Sequence, residues 1–346
     1  MEEHLRSQLR LFLSIDLSGS TRLKGDRNYS KIDPGDPRSL ENLAQEDFDW
    51  AQIQMHLFHD FHADFISRVD TKDGVTRPFE RSPWKALGDE LVYSFEIKSN
   101  EQLVNICSAF LSTLRVHDAK SSTLRLTGTA WVAGFPLRNR VIEMPMSGGG
   151  SESSPYPARD FWGPDLDIGF RLGRHSYAGM CVASMSLVEL CAQHDTREPV
   201  RFRLVGWENL KGVFDGKPYP IFWMDLPGNE ATVEPLVMPW AQGESSLMKE
   251  WCQLDCGKDA HEFRELCEKI RSCLPEKFLL ARPYIPNVTG VPRKDKELIE
   301  TIMRLPKGLS GSQTVEPADV DPDEQKKVDD LRSRVGLVDR EDSGKD

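Results

Sequence analysis

No stretch of this 346-residue sequence is apolar enough to span a bilayer, and its first eighteen residues lack the long apolar core of a secretion signal. Basic charge is also in short supply. Against 44 Lys and Arg stand 55 Asp and Glu, a net charge of −11, which argues against broad nucleic-acid binding and its basic footprint. Paired-cysteine patterns are missing too. Seven cysteines, an odd number, read as reduced thiols of a cytoplasmic protein. Cys252, Cys256, Cys267 and Cys273 are spaced more loosely than zinc ligands, in a segment that looks helical, and read as buried thiols. There is no internal repeat. What remains, 39% apolar and 29% charged residues, is the composition of a globular chain with one large domain and an accessory region.

Strand and helix patterns alternate along the first two thirds. Leu11–Ile15 reads as a strand and Asp16–Thr21 as the turn after it. Phe48, Ala51, Met55, Phe58, His62 and Phe65 predict an amphipathic helix of about five turns. Arg81–Phe95 reads as a hairpin with Gly88-Asp89 at its tip, and Leu103, Ile106, Cys107, Phe110 and Leu114 as a second helix. Leu124, Leu126, Gly128, Ala130 and Val132 alternate as a strand. A third helix starts near Gly163, a short strand spans 181–183, Ser184 caps a fourth helix, and strands follow near 200–206 and 219–224. The polar stretches 22–45 and 136–158 read as irregular insertions. The predicted class is α+β, helices flanking one mixed sheet, over residues 1–225. Residues 226–305 read as a helical C-terminal extension, with helices over 246–275 and 295–304. Residues 306–346 read as an acidic, disordered tail.

Two aspartates draw attention. Asp16 ends a strand and Asp89 stands at a hairpin tip, so neighbouring strands would bring both carboxylates to one sheet edge. Carboxylates are the ligands that hard cations such as Mg²⁺ or Mn²⁺ take, and such cations commonly share phosphate oxygens with a substrate. The small residues of the turn after Asp16 let backbone amides approach a phosphate chain. His56, His59 and His62 recur every three residues, but on a helix they spread over too wide an arc to share a metal and read as a helix flank.

Four segments carry a resemblance. Asp16-Leu17-Ser18-Gly19-Ser20-Thr21 after a strand resembles the first signature of class III nucleotide cyclases. Lys85-Ala86-Leu87-Gly88-Asp89 is similar to their second, in which a base-reading lysine precedes a metal-binding aspartate by four residues. The run from Asp160 through Trp162-Gly163 and Asp167 to Arg171 resembles their third, with a base-reading carboxylate before Trp-Gly and two catalytic residues one helical turn apart. Asn209-Leu210-Lys211-Gly212 looks like the segment that supplies a phosphate-binding lysine. Two positions depart from the pattern. Asp167 replaces the usual Asn; an ionised carboxylate donates no hydrogen bond, and an i,i+4 pair with Arg171 is expected instead. Ser20 replaces a common Phe.

The resemblance implies a class III cyclase-like fold closing a ribonucleoside triphosphate into its 3′,5′-cyclic monophosphate. It implies two divalent cations, Mn²⁺ or Mg²⁺, on Asp16, Leu17 and Asp89. Ser18, Gly19, Ser20, Thr21 and Lys211 would bind phosphates, Arg171 and Asp167 would act in catalysis, and Lys85 and Asp160 would read the base. It further implies a homodimer whose sites combine residues of both chains. One donor and one acceptor suit adenine or uracil alike. The bulk of Trp50 favours a pyrimidine, while Phe48 lies on the apolar stripe and reads as core. The catalytic segment begins almost at residue 1, so the build resembles the stand-alone pyrimidine cyclases of bacterial Pycsar antiphage systems. Those make cyclic UMP or cyclic CMP for a downstream effector, and UTP is the expected substrate. The alternatives are an adenylate cyclase and a degenerate domain that senses nucleotides. Retention of Asp16, Asp89, Arg171 and Lys211 counts against the latter, and Leu87-Gly88-Asp89-Glu90 against a GGDEF-type cyclase.

Overall fold

The computed structural model describes residues 5–21, 36–73, 81–120, 124–144, 158–192, 200–213, 218–226, 260–273 and 282–304. Its centre is β1 (Gln8–Ser18), in which alternate residues serve opposite faces. Leu9, Leu11, Leu13, Ile15 and Leu17 belong to the larger core, whereas Phe12 belongs to a second cluster on the other side. The strand runs antiparallel to β3 (Glu90–Ile97) on one side and β4 (Arg125–Phe135) on the other. With β2 (Lys85–Ala86), β7 (Cys181–Ala183), β8 (Arg201–Glu208) and β9 (Tyr219–Asp225), the sheet has the order β2-β3-β1-β4-β7-β9-β8. Among the described strands only β4 and β7 pair in parallel, so the sheet is mixed, as the α+β expectation requires.

The first face is covered by α1 (Pro37–Asp73), α2 (Asn100–Lys120) and α4 (Met185–Ala192). Phe61, Phe65 and Val69 of α1 are fully buried, and Phe65 meets Tyr93 edge-on at 5.0 Å. On α2, Leu103, Ile106, Cys107, Phe110 and Leu114 are buried, as their spacing predicts. Ser184 does cap α4, its Oγ accepting from Leu187 N–H at 3.3 Å. The second face is narrower. There the hairpin of β5 (Arg140–Met144) and β6 (Ala158–Trp162) and the helix α3 (Pro164–Leu172) cover Phe12, Val92, Trp131 and Phe135. A Cβ on Gly169 would lie 2.2 Å from the Trp131 ring, so only glycine lets α3 rest this closely on β4.

Several expectations are corrected. The first strand continues through Ser18, because its residues pair with β4 as far as Arg125. The first helix has 37 residues rather than five turns, and residues 37–45 of the predicted irregular insertion 22–45 are helical. Its buried stripe runs through Phe61, Phe65 and Val69, while Met55 is 59% exposed. Residues 140–144 of the second predicted insertion form β5, since its residues find strand partners in β6. Residues 136–139 form the turn before β5, residue 158 opens β6, and 22–35 and 145–157 lie outside the described residues.

Met1–Ile299 forms one compact unit and Glu300–Asp346 another, of which only Glu300–Arg304 is described. Within the first unit, α5 (Ala260–Cys273) packs against α4 through Leu266, Cys267 and Ile270, and Arg271 makes a bidentate pair with Glu189. Both side chains of that pair are 6% exposed. The short α6 (Pro286–Thr289) and α7 (Arg293–Arg304) follow. The predicted helices over 246–275 and 295–304 thus correspond to α5 and α7, with 246–259 and 274–275 outside the described residues, as is the predicted tail 306–346. Cys107, Cys181, Cys191 and Cys267 are buried thiols in no disulfide, and burial raises the Cys181 thiol. Cys252 and Cys256 lie outside the described residues. No described helix is long and apolar enough to cross a membrane.

Candidate active site

The site is built on the second face, where polar residues succeed the aromatic cluster along the strands. Asp16 alternates with the core residues Ile15 and Leu17 and stands directly across from Glu90 on β3 and Thr127 on β4. Directly opposed residues of an antiparallel pair project to the same side. One pleat further, about 7 Å along the strands, Ser14 faces Val92, and Val92 in turn faces Lys85. Asp16, Glu90 and Lys85 therefore belong to two adjacent cross-strand rows on one face.

Asp89 joins them from the β2–β3 turn, which Leu87 N–H closes onto the Glu90 carbonyl at 2.8 Å. The Asp89 carbonyl accepts from Leu17 N–H at 3.1 Å, tying the hairpin tip to the end of β1. Gly19, at φ +92°, turns the chain back just past Ser18 in a conformation that side chains other than glycine's rarely take. This return buries Ser20, whose hydroxyl donates to Asp89. A phenylalanine at position 20 has no hydroxyl for that bond. The two predicted metal aspartates are thus brought together, with Ser18, Gly19 and Thr21 exposed beside them.

Glu90 is a third carboxylate here that the sequence reading missed. Burial pushes its pKa up, and the charges of Asp16 and Asp89 push in the same direction, against the hydrogen bond from Ser14. Its alternation with Val92 along β3 is the signal that would have found it. Among the described residues no three His, Cys, Asp or Glu side chains form a metal-holding group. The oxygen donors present nonetheless fit a hard divalent cation. Asp16 and Asp89 supply two carboxylates, and Glu90 adds negative charge that such a cation would offset.

The predicted base-reading residues meet in this chain. Lys85 Nζ lies 2.9 Å from Asp160 Oδ1 and 3.1 Å from Oδ2, and 4.5 Å above the Trp84 ring. Asp160 also accepts from Phe161 N–H at 2.9 Å and Trp162 Nε1–H at 3.1 Å. Burial pushes its carboxyl pKa up, but these donors and the lysine charge outweigh burial and hold it below the usual carboxylate range. Trp162 is a second residue missed from sequence; its offset of two from Asp160 along a strand placed both on one face.

Arg171 ends α3. Asn139, fully buried, pins the start of that helix by accepting from Asp165 N–H at 3.2 Å and donating to Asp165 Oδ2 at 2.7 Å. Arg171 donates to the Asp167 backbone carbonyl at 2.9 Å, while the expected i,i+4 ion pair is longer, 3.7 Å, with Asp167 69% exposed. The turn holding Lys211 is adjacent: a Cβ on Gly212 would lie 3.7 Å from Arg171 Nη2. Lys211 itself is exposed.

Trp50 stands half-buried on α1, eleven residues before Phe61, which packs on the first face. His62 Nδ1 lies 3.3 Å from the Tyr93 hydroxyl, whereas His56 and His59 are exposed.

No protein-family model matches this sequence, and no curated protein matches it. Among solved structures the chain is similar to the adenylyl cyclase CyaB from P. aeruginosa at 13% identity and a TM-score of 0.42, over 63% of this chain and 94% of that one. It is also similar to the guanylyl cyclase Cya2 at 13% identity and a TM-score of 0.41, over 65% and 98% of the two chains. A third similar structure is the guanylate cyclase domain of RhGC from Catenaria anguillulae in complex with GTP, at 11% identity and a TM-score of 0.38, over 64% and 98%.

Proposed function

We propose that this chain is a nucleotide cyclase that converts a ribonucleoside triphosphate, UTP first among them, to its 3′,5′-cyclic monophosphate and pyrophosphate. One observation carries the reading. Asp16 and Asp89, far apart in sequence, converge beside a turn of exposed small residues. The four segments that resemble class III cyclase signatures supply the remaining groups.

In the reaction, the ribose 3′-oxygen attacks the α-phosphorus in line, the bond to the β-phosphate oxygen breaks, and the 3′-hydroxyl loses its proton. Asp16 and Asp89, with the Leu17 carbonyl, would hold divalent cations, which when bound supply charge neutralisation and acidify a hydroxyl. Arg171, held by the Asp167 carbonyl, is suited to stabilise charge on the α-phosphoryl oxygens. Exposed Lys211 beside it suits the terminal phosphates. Lys85 and Asp160 orient the base, Lys85 donating to O4 of uracil and Asp160 accepting from N3–H. On this reading each site combines the aspartates of one protomer with the base and phosphate groups of another, and the cyclic product serves a downstream effector in antiphage defence.

Adenylate cyclisation is the second reading, favoured by the same adjacency of Lys85 and Asp160, since N1 and N6 of adenine also present one acceptor and one donor. Incubation with each of the four ribonucleoside triphosphates and Mn²⁺ separates the two readings. UTP is expected to give the dominant cyclic product; preference for ATP would establish the adenylate reading instead. Trp50→Ala is expected to admit ATP and to weaken UTP turnover, because a bulky ring then no longer fills the space of a purine's second ring. Unchanged selectivity in that variant would remove Trp50 from the pocket.

Composite sites make a separate prediction. Asp16→Ala and Arg171→Ala proteins, each inactive alone, should regain activity on mixing, because a heterodimer contains one intact site. No recovery after demonstrated subunit exchange would exclude the shared arrangement.

A further inference from the structure

A carboxylate offers about four acceptor positions, and on Asp160 each has a donor. Lys85 Nζ reaches both oxygens, at 2.9 and 3.1 Å. Phe161 N–H holds Oδ1 at 2.9 Å, and the Trp162 indole N–H holds Oδ2 at 3.1 Å. These donors are not equally replaceable. The Phe161 amide belongs to the backbone of β6, and Lys85 is anchored at 4.5 Å over Trp84 and is itself needed to meet the base. Trp162 is 57% exposed, a large ring lying mostly in solvent on the same side of β6 as Asp160. Of the three residues that donate to Asp160, Trp162 is the most exposed.

We infer that Trp162 is a specificity-determining residue: its indole N–H occupies on Asp160 Oδ2 the place that a nucleobase N–H takes on binding, and its ring then packs against the base. This rests on Lys85 and Asp160 being the base-reading pair. The exchange is donor for donor, so a base edge with an N–H can displace the indole, and one that presents only acceptors cannot. The two halves of the side chain act in opposite directions. Its N–H competes with the base, and its ring assists it.

Trp162→Phe removes the competing donor and keeps a ring, so nucleotide binding tightens by about three- to tenfold, the size of one net hydrogen bond. Trp162→Ala removes both, and binding weakens by about tenfold, since stacking on an aromatic ring outweighs that bond. The test is calorimetric titration of the full chain and both variants with α,β-methylene UTP and α,β-methylene ATP in Mn²⁺, with inorganic tripolyphosphate as the base-free probe. For the nucleotide preferred by the unmodified chain, the expected order is Phe tighter than Trp, and Trp tighter than Ala, with tripolyphosphate bound equally by all three. A Phe variant that binds no tighter than the parent overturns the inference. So does a parallel shift in tripolyphosphate affinity, which would mark a general loosening of the site. If the parent chain binds tripolyphosphate but neither nucleotide, it is the uridylate and adenylate readings that fall.

Discussion

Asp16→Ala and Asp89→Ala should each lower cyclic nucleotide formation by about 10³-fold or more, because losing one carboxylate dismantles the cation site rather than weakening it in proportion. The fold should survive both changes. Asp16 is only partly buried, and removing either charge relieves the carboxyl of Glu90, which burial and these two neighbours raise above its usual pKa. Thermal stability is therefore expected to hold while turnover disappears. Turnover in saturating Mn²⁺, beside circular dichroism of the same samples, checks both halves. A folded variant with parental turnover would end the cyclase reading.

Arg271→Ala should destabilise the chain by about 3–5 kcal/mol, since the Glu189 carboxylate would be left buried without its bidentate partner. In a unit of this size that amounts to a fall in Tm of roughly 10 °C. Replacing Glu189 and Arg271 together with Leu and Met should recover much of the loss, because two apolar side chains leave no charge unpaired. Thermal and urea melts of the three proteins decide the matter. A single variant that melts with the parent would show that α5 does not contribute to the folding of the sheet domain.

Sequence pattern was informative where one physical constraint dominates. The spacing of the apolar residues of α2 and the alternation of Leu124, Leu126, Ala130 and Val132 both follow from contact with the larger core, and the segments around Asp16, Lys85, Asp160 and Lys211 were recognisable because each joins a regular element to a turn. The phase of α1 was not recoverable in the same way. Phe58, Phe61 and Phe65 are all apolar, so two stripes share Phe65, and the contact of Phe61 with Phe110 selects the one through Phe61. Strand β5 was hidden because Arg140–Met144 pairs only with residues beyond a long polar stretch. At the site, Asp16 and Asp89 could be named, but Ser20–Asp89, Ser14–Glu90 and Trp162–Asp160 are tertiary bonds that no local spacing encodes.

The central position of β1 has a consequence for how this protein can change over time. Its eleven residues pair along their length with β4, and eight of them pair with β3, while alternate side chains belong to the larger core and to the face that carries the site. Substitutions can alter either set independently. A gain or loss of a single codon within this strand cannot, because it would exchange the two sets downstream, sending Asp16 into the packing layer and a leucine onto the opposite face. Length variation between homologues should therefore be absent from residues 8–18 and collect in the segments that connect the elements, and a one-residue deletion scan along the chain would register this strand as its least tolerant stretch.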